Sequence, residues 1–330
     1  MSLTSKVLVT GGAGFVGSNL ADGLIDAGAK VVIIDNLVTG FRENLEEIKG
    51  DFEFVEADLN DSETLSKVIK DVEVVFHQAA LPSVPRSVDN PRETHEACVN
   101  ATFNLLVHSK EANVRRVVYA ASSSAYGNQP ILPKVETMRP DPLSPYAAAK
   151  LMGEHYCRVF NNVYGLETVA LRYFNVFGPR QNPSSHYSGV ISRFIDALMS
   201  GQTPVIFGDG EQSRDFTYVA NVVDANIKAS QSADCVGLAI NTANGNRVTL
   251  NELLEVLKEI TDNNDVTANY EDTRTGDVKD SQADNRLAVE AYGYEEIIGL
   301  EEGLRRTIDW WKDSRFNPAN ADANGAQSAG

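Results

Sequence analysis

The chain is short of cysteine, of positive charge and of long apolar runs, and each shortage removes a class of function. Its three cysteines, Cys98, Cys157 and Cys235, stand far apart with no Cys-x-x-Cys or metal-ligand spacing. That reads as free thiols in a reducing, cytoplasmic setting, not as a disulfide framework or a zinc site. His95 and Cys98 lie three apart, but no neighbour completes a ligand set, so no metal is expected. Lys and Arg number 29 against 46 Asp and Glu, a formal charge of −17. A binder of nucleic-acid backbone needs the opposite footprint, whereas a small anionic substrate needs only a local cluster of cations. No apolar run approaches the length of a membrane span, and "MSLTSKVLVTGG" has no signal-peptide core, so neither a membrane nor an export route is expected.

What remains is an ordinary globular composition, 42% apolar and 23% charged over 330 residues, enough for one large domain or two interleaved ones. The first half alternates short β-branched runs with helical spacing. The runs are "KVLVT" (6–10), "KVVIID" (30–35), "FEFVEAD" (52–58), "EVVFHQAA" (73–80), "RRVVYAAS" (115–122) and "ETVALRYF" (167–174). Near-continuous apolar strands separated by helices predict a Rossmann-like α/β fold, a doubly wound parallel sheet covered on both faces. After about residue 175 the pattern loosens into turn formers, a helix near 188–200, a short "PVIF" strand and two late helices, "TLNELLEVLKEI" and "LEEGLRRTIDWW". The expected division is a dinucleotide domain over 1–175, with 218–242 returning to it. A smaller, mixed α/β substrate domain takes 176–217 and 243–316, and a small, polar tail, 317–330, is expected to be disordered.

Between the first strand and first helix, "VLVTGGAGFVGSNL" places Gly11, Gly14 and Gly17 three apart. Glycines there let the chain turn sharply and bring backbone N–H groups to a diphosphate, whose charge the helix N-terminus favours. Asp35 ends the second strand 21 residues after Gly14. A carboxylate at that place accepts from a ribose diol and repels a 2′-phosphate, which predicts NAD over NADP. Asp58, read as closing the third strand, either meets the adenine end or caps the strand.

At the carboxyl edge of the fifth strand stands "ASSSAYG", with Ser122, Ser123 and Ser124, whose hydroxyls can bond a reacting oxygen and relay a proton. A proline-rich loop leads on to "SPYAAAK", which puts Tyr146 and Lys150 four apart on one helix face. An ammonium near a phenol favours the phenolate, so Tyr146 is a candidate base.

Together these residues resemble the extended short-chain dehydrogenase/reductase family over about residues 5–314. The glycine motif matches "TGGAGFVG", the catalytic Ser/Thr matches Ser122, and the catalytic pair matches Tyr146 and Lys150. Within the family, "ALPSVPRS", "SSSAYG", "LSPYAAAK", "LRYFNVFGPRQNP", "GDGEQSRDF" and "GDVKDSQAD" are most similar to the UDP-N-acetylglucosamine 4-epimerase group. The resemblance implies a NAD-dependent exchange of UDP-N-acetylglucosamine and UDP-N-acetylgalactosamine through a 4-keto sugar, with UDP-glucose and UDP-galactose as a further pair. Tyr146 would move the 4-hydroxyl proton, helped by Ser122, while Lys150 keeps Tyr146 acidic and holds the nicotinamide ribose. Related 4,6-dehydratases carry Asp-Glu where this chain has Ser123-Ser124, which removes the proton carriers for eliminating water.

By the same resemblance, Phe15, Val16, Asn36, Thr39, Gly40, Leu59, Gln78, Ala79, Ala80 and Asn100 join the glycines, Asp35 and Asp58 around a tightly held NAD, with Tyr173 on the nicotinamide side. Ser83, Ser123, Ser124, Asn175, Val190, Val205, Phe207, Arg214, Arg274, Asp277 and Ser281 would surround the UDP-sugar, the two arginines on its diphosphate. Ser281 occupies a position where epimerases restricted to non-acetylated sugars resemble one another in carrying tyrosine, so its small side chain would leave room for an acetamido group. The helix around Tyr146 also carries Leu151, Met152, His155, Tyr156, Val159, Phe160 and Val163, a stripe broader than one core seam needs. The resemblance implies that it pairs with "ACVNATFNLLVHS" across a two-fold axis in a homodimer. UDP-glucose or UDP-glucuronate as the substrate, the latter epimerised or decarboxylated, and a non-catalytic NAD sensor are the competing expectations.

Overall fold

In the computed structural model, residues 4–182, 189–273 and 279–314 are described. Six strands form where the β-branched runs place them: β1 (Lys6–Thr10), β2 (Lys30–Asp35), β3 (Phe52–Glu56), β4 (Val74–His77), β5 (Arg116–Ser122) and β6 (Glu167–Tyr173). A seventh, Ala239–Thr242, pairs with β6, giving the order 239–242, β6, β5, β4, β1, β2, β3. Every pairing in this sheet is parallel. The sheet is therefore the expected doubly wound Rossmann-like one, and the chain reverses direction across it between β1 and β4, where such sheets open a crevice at their carboxyl ends.

Alternation along β1 sends Val7 and Val9 to one face and Leu8 to the other. The first face is covered by Leu20 and Leu24 of helix α1 (Phe15–Asp26) and Ala225 of the helix Val219–Gln231; the second carries Leu65, Leu105 and Phe160. A separate apolar core gathers Phe194, Ile195, Leu253, Leu257, Leu304 and Trp311 from the later helices Val190–Met199, Leu250–Thr261 and Leu300–Asp313. The "PVIF" strand is Val205–Phe207, paired in parallel with Asn269–Glu271. No helix of the described residues is long and apolar enough to cross a membrane. The tail 317–330 lies outside the described residues.

Two strands end two or more residues before their runs do. β4 stops at His77, whose ring lies between the Thr10 and Thr102 hydroxyls at 2.7 and 2.8 Å, and residues 78–80 leave the sheet to form a wall. β3 stops at Glu56, so Asp58 does not close a strand: its carboxylate accepts from the Asn60 N–H at 2.8 Å and the Asn36 amide at 2.6 Å, turning the chain away.

Candidate active site

A cleft of about 970 Å³ opens along the carboxyl ends of β1, β2, β4, β5 and β6. At its nucleotide end Gly11 takes φ +69°, and a Cβ there would stand 2.6 Å from the Ala79 backbone N, so only glycine allows this close approach. The turn delivers α1 with Gly14 as N-cap, no side-chain cap and no acid in the first turn. Phe15, Val16 and Gly17 border the cleft there, so the helix's orphan N–H donors and positive dipole end suit a dinucleotide diphosphate.

Asp35 is buried beside this turn, accepting from Ala13 N–H at 3.0 Å and Leu37 N–H at 2.8 Å. Burial pushes its carboxyl above the usual range while both backbone donors pull the other way. Each oxygen keeps a lone pair beyond these bonds, the acceptor set a ribose diol needs. Asn36, Thr39, Asp58 and Leu59 continue the wall, as do Gln78, Ala79 and Ala80. These residues fit a dinucleotide on donor chemistry and shape.

Two expected contacts differ. Asn100 is not on the cleft wall: its amide turns to the Glu96 carboxylate at 2.5 Å, and the small neighbours Ala97 and Ala101 face the cleft. Gly40 is buried just behind the wall, where a Cβ would stand 2.9 Å from Asp35 Oδ1, so it shapes the carboxylate's seat.

At the chemical end, Ser122 closes β5 in register with Tyr173 on β6. Its Oγ accepts from Ser124 N–H at 3.2 Å and Ser124 O–H at 2.8 Å, which leaves its own proton for another acceptor. Tyr146 and Lys150 lie on the helix Pro145–Tyr164, started by the Ser144 hydroxyl accepting from Ala147 N–H at 3.1 Å with Pro145 in the first turn. Burial pushes the Tyr146 phenol well above its ordinary value of 10 and the Cys98 thiol adds to this, while a hydrogen bond with Ser122 pulls it down. The Lys150 ammonium rests on the Ala120 carbonyl at 2.8 Å, above the Tyr119 ring. Burial pushes Lys150 down, against Cys98, Cys157 and Glu154.

Tyr173 lines the cleft with its hydroxyl between Gln78 Oε1 at 3.2 Å and Asn226, and burial pushes it up to about 12. Behind this row lies a network that sequence reasoning missed. Glu154, one turn beyond Lys150, binds Arg172 through two bonds of 2.9 and 2.8 Å. Arg172 donates to the Tyr126 hydroxyl at 2.8 Å, which donates to Asn241 at 2.6 Å. The 4-residue spacing of Tyr146, Lys150 and Glu154 was the available signal.

Toward the sugar end, Ser83, Ser123, Ser124, Asn175, Arg214 and Ser281 all line the cleft. Asn175 takes φ +33° and donates its amide to the Asp215 carbonyl at 2.9 Å. Arg214 donates to the Ser213 and Lys279 carbonyls, each at 2.9 Å. The Asp215 carboxylate pins two segments, accepting from Asn244, Gly245 and Ala283 N–H groups at 3.3, 3.0 and 3.0 Å. Burial pushes it up to about 7 despite those donors. Val190, Val205 and Phe207 are not in the main cleft. They line an adjoining apolar slot of about 240 Å³ that shares Asn175, Gly189 and Arg214 with it. Arg274 and Asp277 lie outside the described residues. Arg86 and Arg180, unassigned from the sequence, join Lys150 and Arg214 along the cleft, supplying the local cations that an anionic ligand requires of a chain of charge −17, and Lys134, also unassigned, lines it as well.

Residues 7–241 match the family described as NAD dependent epimerase/dehydratase. The chain is 42% identical, with a TM-score of 0.90, to a UDP-N-acetylglucosamine 4-epimerase from Methanobrevibacter ruminantium solved in complex with UDP-N-acetylmuramic acid, over 95% of this chain and 99% of that one. It is 38% identical to a UDP-glucose 4-epimerase of Mycolicibacterium smegmatis, over 93% of this chain and 99% of the relative. It is 31% identical, with a TM-score of 0.86, to a UDP-glucuronic acid 4-epimerase from Bacillus cereus in complex with UDP-glucuronic acid and NAD, over 93% of this chain and 99% of that one.

Proposed function

Because the chain belongs to the NAD-dependent epimerase/dehydratase family, we propose that it is a UDP-sugar 4-epimerase that interconverts UDP-N-acetylglucosamine and UDP-N-acetylgalactosamine, with the UDP-glucose pair as secondary substrates. The juxtaposition of Ser122 and Tyr146 at the floor of a cleft whose other end suits a dinucleotide carries this reading. The dinucleotide, held by the α1 N-terminus and Asp35, supplies reversible hydride acceptance. Tyr146 removes and returns the proton on the sugar's O4. Ser122, oriented by Ser124, holds that oxygen and relays the proton. Lys150 would hold the nicotinamide ribose of a bound dinucleotide and keep Tyr146 acidic. Asn175 and Arg214, with Arg274, take the diphosphate, and the apolar slot of Val190, Val205 and Phe207 takes the base, with Asp277 at its ribose.

The N-acetylated sugar is favoured by Ser281, a small side chain in the cleft wall. Incubating the purified protein with UDP-N-acetylglucosamine, UDP-glucose and UDP-glucuronate in parallel, and resolving the products by NMR, tests the assignment. Turnover fastest on UDP-N-acetylglucosamine is expected; epimerisation or decarboxylation of UDP-glucuronate alone would replace it.

We propose further that the substrate lobe is 176–217 with 243–316, set against a dinucleotide lobe of 1–175 with 218–242. The three thiols are buried and free, which supports a reducing, cytoplasmic compartment. A homodimer is supported by the exposed apolar face of Phe103, Met152, Val159, Val163 and Tyr164, of which Val163 is 66% exposed. Light scattering at micromolar concentration is expected to give twice the 35.9 kDa chain mass; a monomer contradicts it.

A further inference from the structure

Four cations besides Lys150 line the cleft, and three of them are held by partners that account for their place. Arg86 pairs with Glu93 at 2.5 Å, Arg180 with Asp22 at 2.6 Å, and Arg214 bridges two carbonyls. Lys134 is different. It is 2% exposed, its ammonium donates to the Gln129 carbonyl, and that bond uses one of three N–H donors. The carboxylate that acts on it is Asp280, which is already bound by the Ser213 hydroxyl at 2.6 Å and faces Arg247 at 3.6 Å. An ammonium at the cleft wall with donors to spare can give them to a ligand acceptor.

The backbone fixes where this ammonium emerges. Lys134 N–H donates to the Gln282 carbonyl at 2.7 Å, its own carbonyl accepts from Asp284 N–H at 2.9 Å, and Lys134 and Ala283 form a parallel bridge. Lys134 and Ser281 both line the cleft. Asp280 lines it too. A sugar carboxylate placed here would meet the Asp280 charge as well as Lys134, whereas a neutral amide carbonyl meets the donor without that repulsion.

We propose that Lys134 donates a hydrogen bond to the carbonyl oxygen of the sugar's 2-acetamido group, the attractive half of a selection whose permissive half is the space at Ser281. This rests on the N-acetylhexosamine reading above. Burial pushes the Lys134 ammonium down and Asp280 pulls it up; a carbonyl accepting from the charged form adds to that pull.

The test is Lys134→Met, which keeps the backbone bonds and most of the side-chain volume. Loss of a hydrogen bond from a charged donor is expected to lower kcat/KM for UDP-N-acetylglucosamine by roughly 10- to 100-fold. UDP-glucose, which lacks the amide, is expected to change by less than about threefold. Lys134→Gln, which keeps a neutral donor, is expected to lose less, and serves alone should the Met variant not fold. Equal losses on both sugars would show a structural role and overturn the proposal. A loss confined to UDP-glucuronate would put a carboxylate on the ammonium and overturn it as well. If the parent does not turn over UDP-N-acetylglucosamine, the substrate reading fails instead, which the parent assay alone reveals.

Discussion

At the nucleotide end of the cleft the walls are strand ends. Gly11 follows β1, Asn36 follows β2 and Gln78 follows β4, each delivered by a parallel ladder with an apolar core on both faces. At the sugar end the walls are loops drawn from far apart in the chain, with single side chains fixing them to one another. Asp215 gathers residues 244, 245 and 283, and Asn241 accepts from Tyr126 while donating to the Lys134 and Asp284 carbonyls. The sheet spreads its positional information over many redundant bonds, whereas the loops concentrate it in a few buried polar atoms. The nucleotide end should therefore tolerate substitution better than the sugar end, except at the close approach of Gly11 and at the atoms that touch the reaction.

The largest effect is expected at one of those atoms. Tyr146→Phe removes the proton carrier from a helix otherwise unchanged, and turnover should fall by at least about a hundredfold. Binding of UDP-sugar, measured by calorimetry, should survive. A variant with near-parental turnover would remove Tyr146 from the mechanism.

Next comes the network that joins the two ends. Arg172→Met strands the Glu154 carboxylate, whose side chain is 5% exposed. Breaking such a pair costs about 3–5 kcal/mol, readable in denaturant unfolding. Replacing both partners, Glu154→Leu with Arg172→Met, should cost less than the single change. If the double variant is the less stable, the pair is not the unit that carries the coupling.

A smaller and selective effect belongs to Ser281→Tyr. The added ring occupies cleft space, so kcat/KM for UDP-N-acetylglucosamine should drop by tenfold or more, with steric exclusion as the cause (an estimate of about 1–3 kcal/mol for a clash). UDP-glucose should be spared. Parallel losses on both sugars would show that Ser281 does not gate the acetamido group.

The mildest test is a slope. Asp215 has its pKa raised to about 7 from 3.8, so the folded chain holds a proton that the unfolded chain has already released. Its contribution to stability is fully present below about pH 4 and is lost as pH rises toward about 7, by at most about 1.4 kcal/mol per unit. The stability difference between the parent and Asp215→Asn should therefore shrink with rising pH across that window and level off above it. A difference that is flat with pH would mean that Asp215 stays ionised when folded.

How much of this was legible follows the same division. The periodic runs carried β1 to β6, and the glycine spacing, Asp35, the serines and Tyr146 with Lys150 fell where ladders and one helix face put them. Local side-chain bonds were not legible: an Asx turn takes Asp58 off β3, and Glu96 draws the Asn100 amide from the wall. Strand 239–242 was too short, with "AINT" as its whole signal, to be read without its partner β6. Lys134 and Arg172 owe their places to contacts more than 100 residues away for Lys134 and through Glu154 for Arg172, and no spacing rule reaches them.

The last strand of the sheet has a consequence for how the molecule is made. β6 ends at Tyr173, but the strand that covers its outer edge begins at Ala239, so 65 residues must be synthesised in between. At about 5–20 residues per second, a ribosome leaves the six-stranded intermediate with a bare edge for roughly 3–13 s. That edge is the buried, β-branched "ETVALRY", which has the features of a template for pairing with another nascent chain. Slower synthesis through residues 174–238 lengthens that exposure, whatever the stability of the finished fold.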